Sequence, residues 1–310
     1  MAELRGKRIL VTGPAGQIAF PLARELARHN EVWGIARFSQ PGARERVEKA
    51  GIATAEVDLA APDWRPLPEH FDYVLHLAVF QQAGLDFDRA LAVNAEGTGL
   101  LMSRFRRAKA FVVVSTCGVY ASPADPHHAI RETDPLGVTV QPYSPTYSVS
   151  KIAEEGVARF ACREWELPTT IARMNVSYGP NGGLPAYQFD AILAGQPVPV
   201  QLGRASVCNP IDERDIDATV PGLLEVASVP ARVLNWSGDD AVLVEDYCRY
   251  MAELASLPVR FEPSREGAIH HFRLDNTERQ RLLGPCRIPW RQGLRDMIAA
   301  RHPELVLREG

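Results

Sequence analysis

The chain has 310 residues, a formal net charge of −4, and 46% hydrophobic and 23% charged residues. That balance weighs against a dedicated nucleic-acid binder, which needs a basic face for phosphates. A chain this long buries a sizeable core without disulfides or metals. No run approaches the roughly 20 apolar residues of a membrane-spanning helix.

The start, MAELRGKRILVTG, has an apolar run too short for a signal-peptide core. Cysteines at 117, 162, 208, 248 and 286 form no CxxC pair and are odd in number. These features predict a reduced, cytoplasmic chain with no membrane partner. The run Arg104, Arg106, Arg107, Lys109 is the most basic stretch and reads as a solvated helix face. The doublets His127–His128 and His270–His271 lack the spacing of a metal site, because adjacent residues of a regular element do not converge on one ion. No metal is expected.

In chain order, residues 8–11 (RILV) read as a buried strand, and 17–28 as a helix with Ile18, Leu22 and Leu26 on one stripe. Strands follow at 31–35, in the AEVDL segment, and at 73–78, 111–115 and 169–174. Near-continuous apolar strands separated by helices predict a parallel sheet covered on both faces. The expected fold class is α/β, a doubly wound Rossmann sheet over 1–175. After about Tyr178, Pro and Gly cluster and the alternation lapses. Residues 176–310 read as a smaller, mixed substrate region whose late strands could rejoin the main sheet. No internal repeat or low-complexity segment is seen.

Residues 11–19 (VTGPAGQIA) place a glycine turn between the first strand and the first helix. Gly13 permits the tight turn, Gly16 lets backbone N–H groups approach a pyrophosphate at the helix's positive end, and Ala19 packs closely on the strand. Gly13, Ala15, Gly16, Gln17 and Ile18 are therefore candidate cofactor contacts. An NAD site places an acid at the end of the second strand. Here Ala36 stands there, followed by Arg37, Phe38 and Ser39. Arg37 suits a 2′-phosphate, so NADP(H) is favoured and NAD(H) stays open. The plain alternative is a surface arginine. Asp58, with Leu59 beside it, is placed either at the adenine edge or as a loop cap.

Residues 147–151 (YSVSK) put Tyr147 and Lys151 on one helical face. A tyrosine with a pKa near ~10 becomes a usable acid/base when an ammonium stabilises its phenolate. It then exchanges a proton with an alcohol or carbonyl as a nicotinamide carries a hydride.

TGPAGQIA, YVLHLA, VNAEGTGLL, VVSTCGVYAS, YSVSK, RMNVSYGP and the late DNTERQRLLG occur in one order. Together they resemble the extended short-chain dehydrogenases/reductases, the NAD-dependent epimerase/dehydratase branch, from Lys7 to about Leu294. The resemblance implies that Thr116 binds the reacting oxygen, that Tyr147 is the acid/base, and that Lys151 also holds the nicotinamide ribose. It implies that Leu77, Ala78 and Val79 line the cofactor after the fourth strand. Asn94 braces sheet and helix beside the cofactor, and Asn175 and Val176 border the nicotinamide. It further implies a homodimer through helices near 88–108 and 147–163, with Leu91, Leu100, Leu101, Phe105, Ile152, Val157 and Phe160 as apolar positions. Phe80, Gln81, Cys117 and Met174 are candidate substrate contacts, as is the Gly182–Gly183 loop.

Two positions depart from the pattern. Sugar-nucleotide dehydratases of this branch carry an acidic pair where this chain has Cys117 and Gly118. Cys208 stands where nucleotide-sugar enzymes carry a diphosphate-binding arginine, with Arg204 and Arg273 as substitutes from another direction. Asp212 and Asp215 read as turn-fixing residues. The expected activity is hydride transfer between NADP(H) and a secondary alcohol or ketone. An NAD-dependent nucleotide-sugar epimerase is the alternative, and a non-catalytic dinucleotide sensor is the reading from another class.

Overall fold

The computed structural model describes residues 4–125, 127–137, 144–264 and 271–308. The first half runs β1 (Arg8–Thr12), α1 (Ala19–Ala27), β2 (Glu31–Ala36), α2 (Ala43–Lys49), β3 (Ala53–Glu56) and β4 (Tyr73–His76). Then come α3 (Phe87–Leu91), α4 (Gly97–Arg104), β5 (Ala110–Thr116), α5 (Tyr147–Glu164) and β6 (Thr169–Met174). The later part contains β7 (Ser177–Gly179), β8 (Gly182–Gly183), α6 (Leu184–Leu193), β9 (Val198–Gln201), β10 (Val207–Cys208) and β11 (Ile211–Asp212). It continues with α7 (Glu213–Glu225), β12 (Arg232–Trp236), β13 (Val242–Leu243), α8 (Val244–Leu254), β14 (Phe261–Ser264), α9 (Thr277–Leu283) and α10 (Trp290–Arg301).

Seven strands form the main sheet in the order β12-β6-β5-β4-β1-β2-β3. Every neighbouring pair is parallel. Alternation within β1 serves both faces: Ile9 and Val11 join one core and Leu10 the other. Leu22 and Leu26 of α1 pack with Ile216 and Leu223 of α7 in the first core. Leu101 of α4 and Ala158 of α5 fill the second with Phe111 and Val113. The strand order reverses direction between β1 and β4. Ligands of open α/β sheets bind at the carboxyl ends of such a pair.

The doubly wound sheet expected from sequence is present, and β6 has the predicted bounds. Other elements differ. β3 ends at Glu56, so Asp58 lies in the loop beyond it, and α1 begins at Ala19, two residues later than read. β4 stops at His76, two residues short, because Leu77 and Ala78 give their N–H groups to Thr12 Oγ1 at 3.0 and 2.8 Å instead of continuing a ladder. The helix read over 88–108 is three pieces: α3, a π-helical turn at Ala92–Glu96, and α4. Such turns insert a residue into a helix and often mark functional sites.

Over 176–310, small sheets β11-β7-β8, β10-β13 and β14-β9 surround a third core that includes Phe189, Tyr247, Met251 and Leu294. β12 leaves this region and pairs with β6, which completes the main sheet. Of the positions expected across a two-fold axis, Leu100 and Phe160 are exposed, while Leu101 and Phe105 are spent in the chain's own core. No helix among the described residues is long and apolar enough to cross a membrane.

Candidate active site

The switch point between β1 and β4 is held by side chains as well as by the ladder. Thr12 Oγ1 accepts from Leu77 and Ala78, so its hydroxyl proton goes to His76 Nδ1 at 2.8 Å. Thr98 donates to the Asn94 carbonyl at 2.6 Å, so His76 Nε2 carries the proton it shares with Thr98 Oγ1 at 2.8 Å. Burial pushes the His76 pKa down to about 3, and the ring is neutral.

Gly13 begins the turn after β1 at φ +68°. A Cβ there would lie 3.1 Å from the Ala78 Cα. Both the left-handed backbone and the close approach to β4 select glycine. Gly16 N–H closes the turn on the Gly13 carbonyl at 2.9 Å. α1 begins only at Ala19, so Ala15, Gln17 and Ile18 belong to the loop. This cradle fits a dinucleotide pyrophosphate, which needs backbone N–H groups and a helix N-terminus. The loop is also strapped: Asn181 Nδ2 donates to the Gln17 carbonyl at 2.7 Å, and Ser177 Oγ donates to Gln17 Oε1 at 3.0 Å.

At the other end, Arg37 is exposed just beyond β2. Asp58, with buried Leu59 next to it, accepts the Ala60 N–H at 3.1 Å and pairs with Arg89 at 2.7 Å. Burial works against the Asp58 charge, yet the Arg89 guanidinium and the Ala60 N–H hold its carboxyl below the usual range. These contacts cap the loop. Leu77 and Ala78 are half-buried beside the glycine turn and Val79 is exposed.

A cavity of about 380 Å³ opens beside this turn. Thr116, Tyr147, Asn175, Val176, Gln81, Cys117, Gly118 and Phe272 are among its lining. Thr116 ends β5, and its hydroxyl oxygen accepts the Gly118 N–H at 3.1 Å. Tyr147 is the first residue of α5, which aims it along the carboxyl edge of the sheet. Lys151, one turn later, is 2% exposed; its Nζ donates to the Val114 carbonyl at 2.8 Å and pairs with Glu154. Asn94 spends its whole amide on bracing: Oδ1 accepts Phe80 N–H at 2.7 Å, and Nδ2 donates to the Phe80 carbonyl and Ser150 Oγ at 3.0 and 2.9 Å. It thereby fixes the loop after β4 to α5. Asn175 is held the same way, by Phe272 and Val176.

Several sequence expectations change here. Met174 is 5% exposed and sits in the first core, so it packs under the sheet and does not line the cavity. Phe80 reaches the site through its backbone contact with Asn94 and is also absent from the lining. Cys117 does line it, but burial pushes its thiol up to about 12, far from an acid's range. Cys208 is fully buried in the third core. Arg204 and Arg273 are exposed and donate to the carbonyls of Pro123 and His127 at 2.8 and 3.2 Å. Asp212 caps α7, and Asp215 accepts the N–H groups of Arg287 and Ile288 at 2.8 and 3.1 Å. Both fix turns. His128 pairs with Asp134, and His270 lies outside the described residues. No cluster of metal-ligating groups occurs among the described residues.

Sequence reasoning missed Glu154, Tyr187 and Leu184. Glu154 carried a signal, since it lies three residues from Lys151 and so shares its helical face. Leu184 and Tyr187 reach the cavity by folding of a distant helix.

Glycine turn, switch-point cavity and the Thr–Tyr–Lys set define a Rossmann protein of the short-chain dehydrogenase/reductase class. Residues 9–204 match the NAD dependent epimerase/dehydratase family, and the chain belongs to this family of enzymes. A dTDP-glucose 4,6-dehydratase of Neisseria gonorrhoeae is 28% identical over 63% of this chain and 62% of its own length. A UDP-N-acetyl-alpha-D-glucosaminuronate decarboxylase of Bacillus cytotoxicus is 22% identical over 94% and 97%. In fold, the chain is similar to UDP-glucose 4-epimerase of Thermotoga maritima, with a TM-score of 0.80, 22% identity, and 96% and 99% of the two chains covered. It is equally similar to UDP-glucuronic acid 4-epimerase of Bacillus cereus, solved with UDP-glucuronic acid and NAD, at TM-score 0.80 and 20% identity over 96% and 99%.

Proposed function

We propose that this enzyme interconverts a secondary alcohol and a ketone on a sugar nucleotide. The net outcome is epimerisation or reduction, not dehydration. One observation carries the reading: Thr116 and Tyr147 share a single cavity beside the glycine turn, with Lys151 one helical turn behind Tyr147. When bound, a nicotinamide supplies hydride acceptance and donation. Tyr147 takes the proton from the alcohol oxygen, or returns one to it, while Thr116 orients that oxygen by hydrogen bonding. The Lys151 charge favours the phenolate. Cys117 and Gly118 offer no carboxyl acid to expel water, which argues against the dehydratase outcome. The sugar-nucleotide substrate follows the names of the relatives, above all the decarboxylase that aligns almost end to end.

A second reading is an NADP(H)-linked reductase of a simpler alcohol or ketone. It is favoured by the lining, which among the described residues has no Arg or Lys to meet a diphosphate, and by the burial of Cys208. Calorimetric titration with UDP and UDP-glucose in the presence of cofactor separates the two. Micromolar binding is expected on the first reading. A missing diphosphate cation costs roughly 1.5–3 kcal/mol, one to two decades in affinity. No detectable binding, with net turnover of a simple ketone, selects the reductase.

For the cofactor we propose NADP(H). Arg37 is exposed at the end of β2, no acid adjoins it in sequence, and Asp58 is engaged by Arg89. Fluorescence titration should show NADPH binding roughly ten-fold or more tighter than NADH, the scale of a charge-assisted contact to the 2′-phosphate. Arg37→Ala should erase the difference. Equal affinities in the native protein, or tighter NADH, would make Arg37 a surface residue and the cofactor NAD(H), as bound in the Bacillus cereus epimerase structure.

A further inference from the structure

The proposed reaction uses Lys151 but leaves its carboxylate neighbour without a role. Glu154 is 0% exposed and its carboxylate contacts Lys151 Nζ, while Lys151 itself is 2% exposed. The surroundings decide what the pair can do. From β4, His76 approaches Glu154 Oε1 at 3.6 Å, but this ring is neutral and shares its one N–H, on Nε2, with Thr98 Oγ1. From α4, Thr98 donates its proton to the Asn94 carbonyl. From α5 itself, Glu155 is already taken by Arg173 and Ser115, at 2.7 and 2.6 Å. β5 contributes the Val114 carbonyl to Lys151 and no charge. Lys151 is thus the cation in contact with Glu154; burial pushes the Glu154 pKa up to about 7 against the pull of that charge, so the carboxylate is ionised above neutral pH.

An ammonium group removed from water sheds its proton unless a counter-charge holds it. A neutral Lys151 could not favour the Tyr147 phenolate. We propose that Glu154 is a positioning residue of this enzyme: its buried carboxylate keeps Lys151 an ammonium ion, and through Lys151 it sets the pH range in which Tyr147 accepts a proton. The inference rests on Tyr147 and Lys151 being the catalytic pair. The sign follows from it. Without Glu154, Lys151 loses its counter-charge, the Tyr147 phenolate loses support, and alcohol oxidation needs a higher pH.

The test is the pH profile of kcat for alcohol oxidation in Glu154→Gln, which keeps the shape and removes the charge. Its acid limb is expected to move up by about one pH unit or more, with about ten-fold lower kcat on that limb and little change in KM. Glu154→Asp should move it back. An unchanged limb overturns the proposal, and so does a limb moved to lower pH, which would mean that Glu154 only subtracts charge. A thermal-stability cycle reads the pair without activity and without relying on the Gln variant folding. Lys151→Met alone should lower Tm by stranding the carboxylate, and Lys151→Met with Glu154→Leu should recover it. An unshifted Tm in Lys151→Met overturns the pairing. Failure of the catalytic reading looks different: Tyr147→Phe would then keep full turnover, while the stability cycle would still report the pair.

Discussion

Replacing Tyr147 by phenylalanine should cut turnover by about 10²-fold or more, the usual weight of a lost general acid–base. The ring and its packing at the start of α5 remain; only the transferable proton goes. Cofactor affinity should therefore survive, because the glycine turn and Lys151 are untouched. Steady-state kinetics combined with cofactor titration checks both halves. Near-native turnover would remove Tyr147 from the chemistry and leave Thr116 or a bound water as the proton carrier. Loss of cofactor binding along with turnover would point to a structural fault instead.

The second large effect concerns stability. Arg173 on β6 and Glu155 on α5 are both 1% exposed and joined by two hydrogen bonds, at 2.9 and 2.7 Å. Arg173 also donates to the Glu132 carbonyl at 3.1 Å and lies 4.6 Å from the Tyr120 ring centroid. Arg173→Met leaves Glu155 buried without its cation. Breaking such a pair from one side costs about 3–5 kcal/mol. Replacing both, by Arg173→Met with Glu155→Leu, should restore much of that, because neither charge is then stranded. Denaturant midpoints measure the three variants. A single variant as stable as the native protein would mean that water reaches this pair.

These two residues show how differently the sequence speaks. Tyr147 and Lys151 were legible from the sequence because the signal is local: four residues on a helix define one face. The glycine turn was legible for the same reason, since the left-handed backbone of a tight turn selects glycine locally. The strand–helix alternation gave the parallel sheet, and β6 was bounded from its own residues. Arg173, by contrast, sits within a run read simply as a strand. Nothing nearby announces that its guanidinium crosses to a helix 18 residues earlier.

The sequence by itself determined what short-range physics encodes: apolar periodicity, the turn that only glycine makes, and the spacing of Tyr147 and Lys151. The tertiary structure decided whatever depends on distant partners. It ended β4 at His76, because Thr12, more than sixty residues away, takes the next two N–H groups. It paired Asp58 with Arg89, and it buried Met174, read as a substrate contact, and Cys208, which stands at the place of an arginine. It brought β12 back to the sheet and set Glu154 against Lys151 in a buried layer between α5 and β4. Burial is the reason: a charge or hydroxyl acquires its role from what surrounds it, and those neighbours come from every part of the chain.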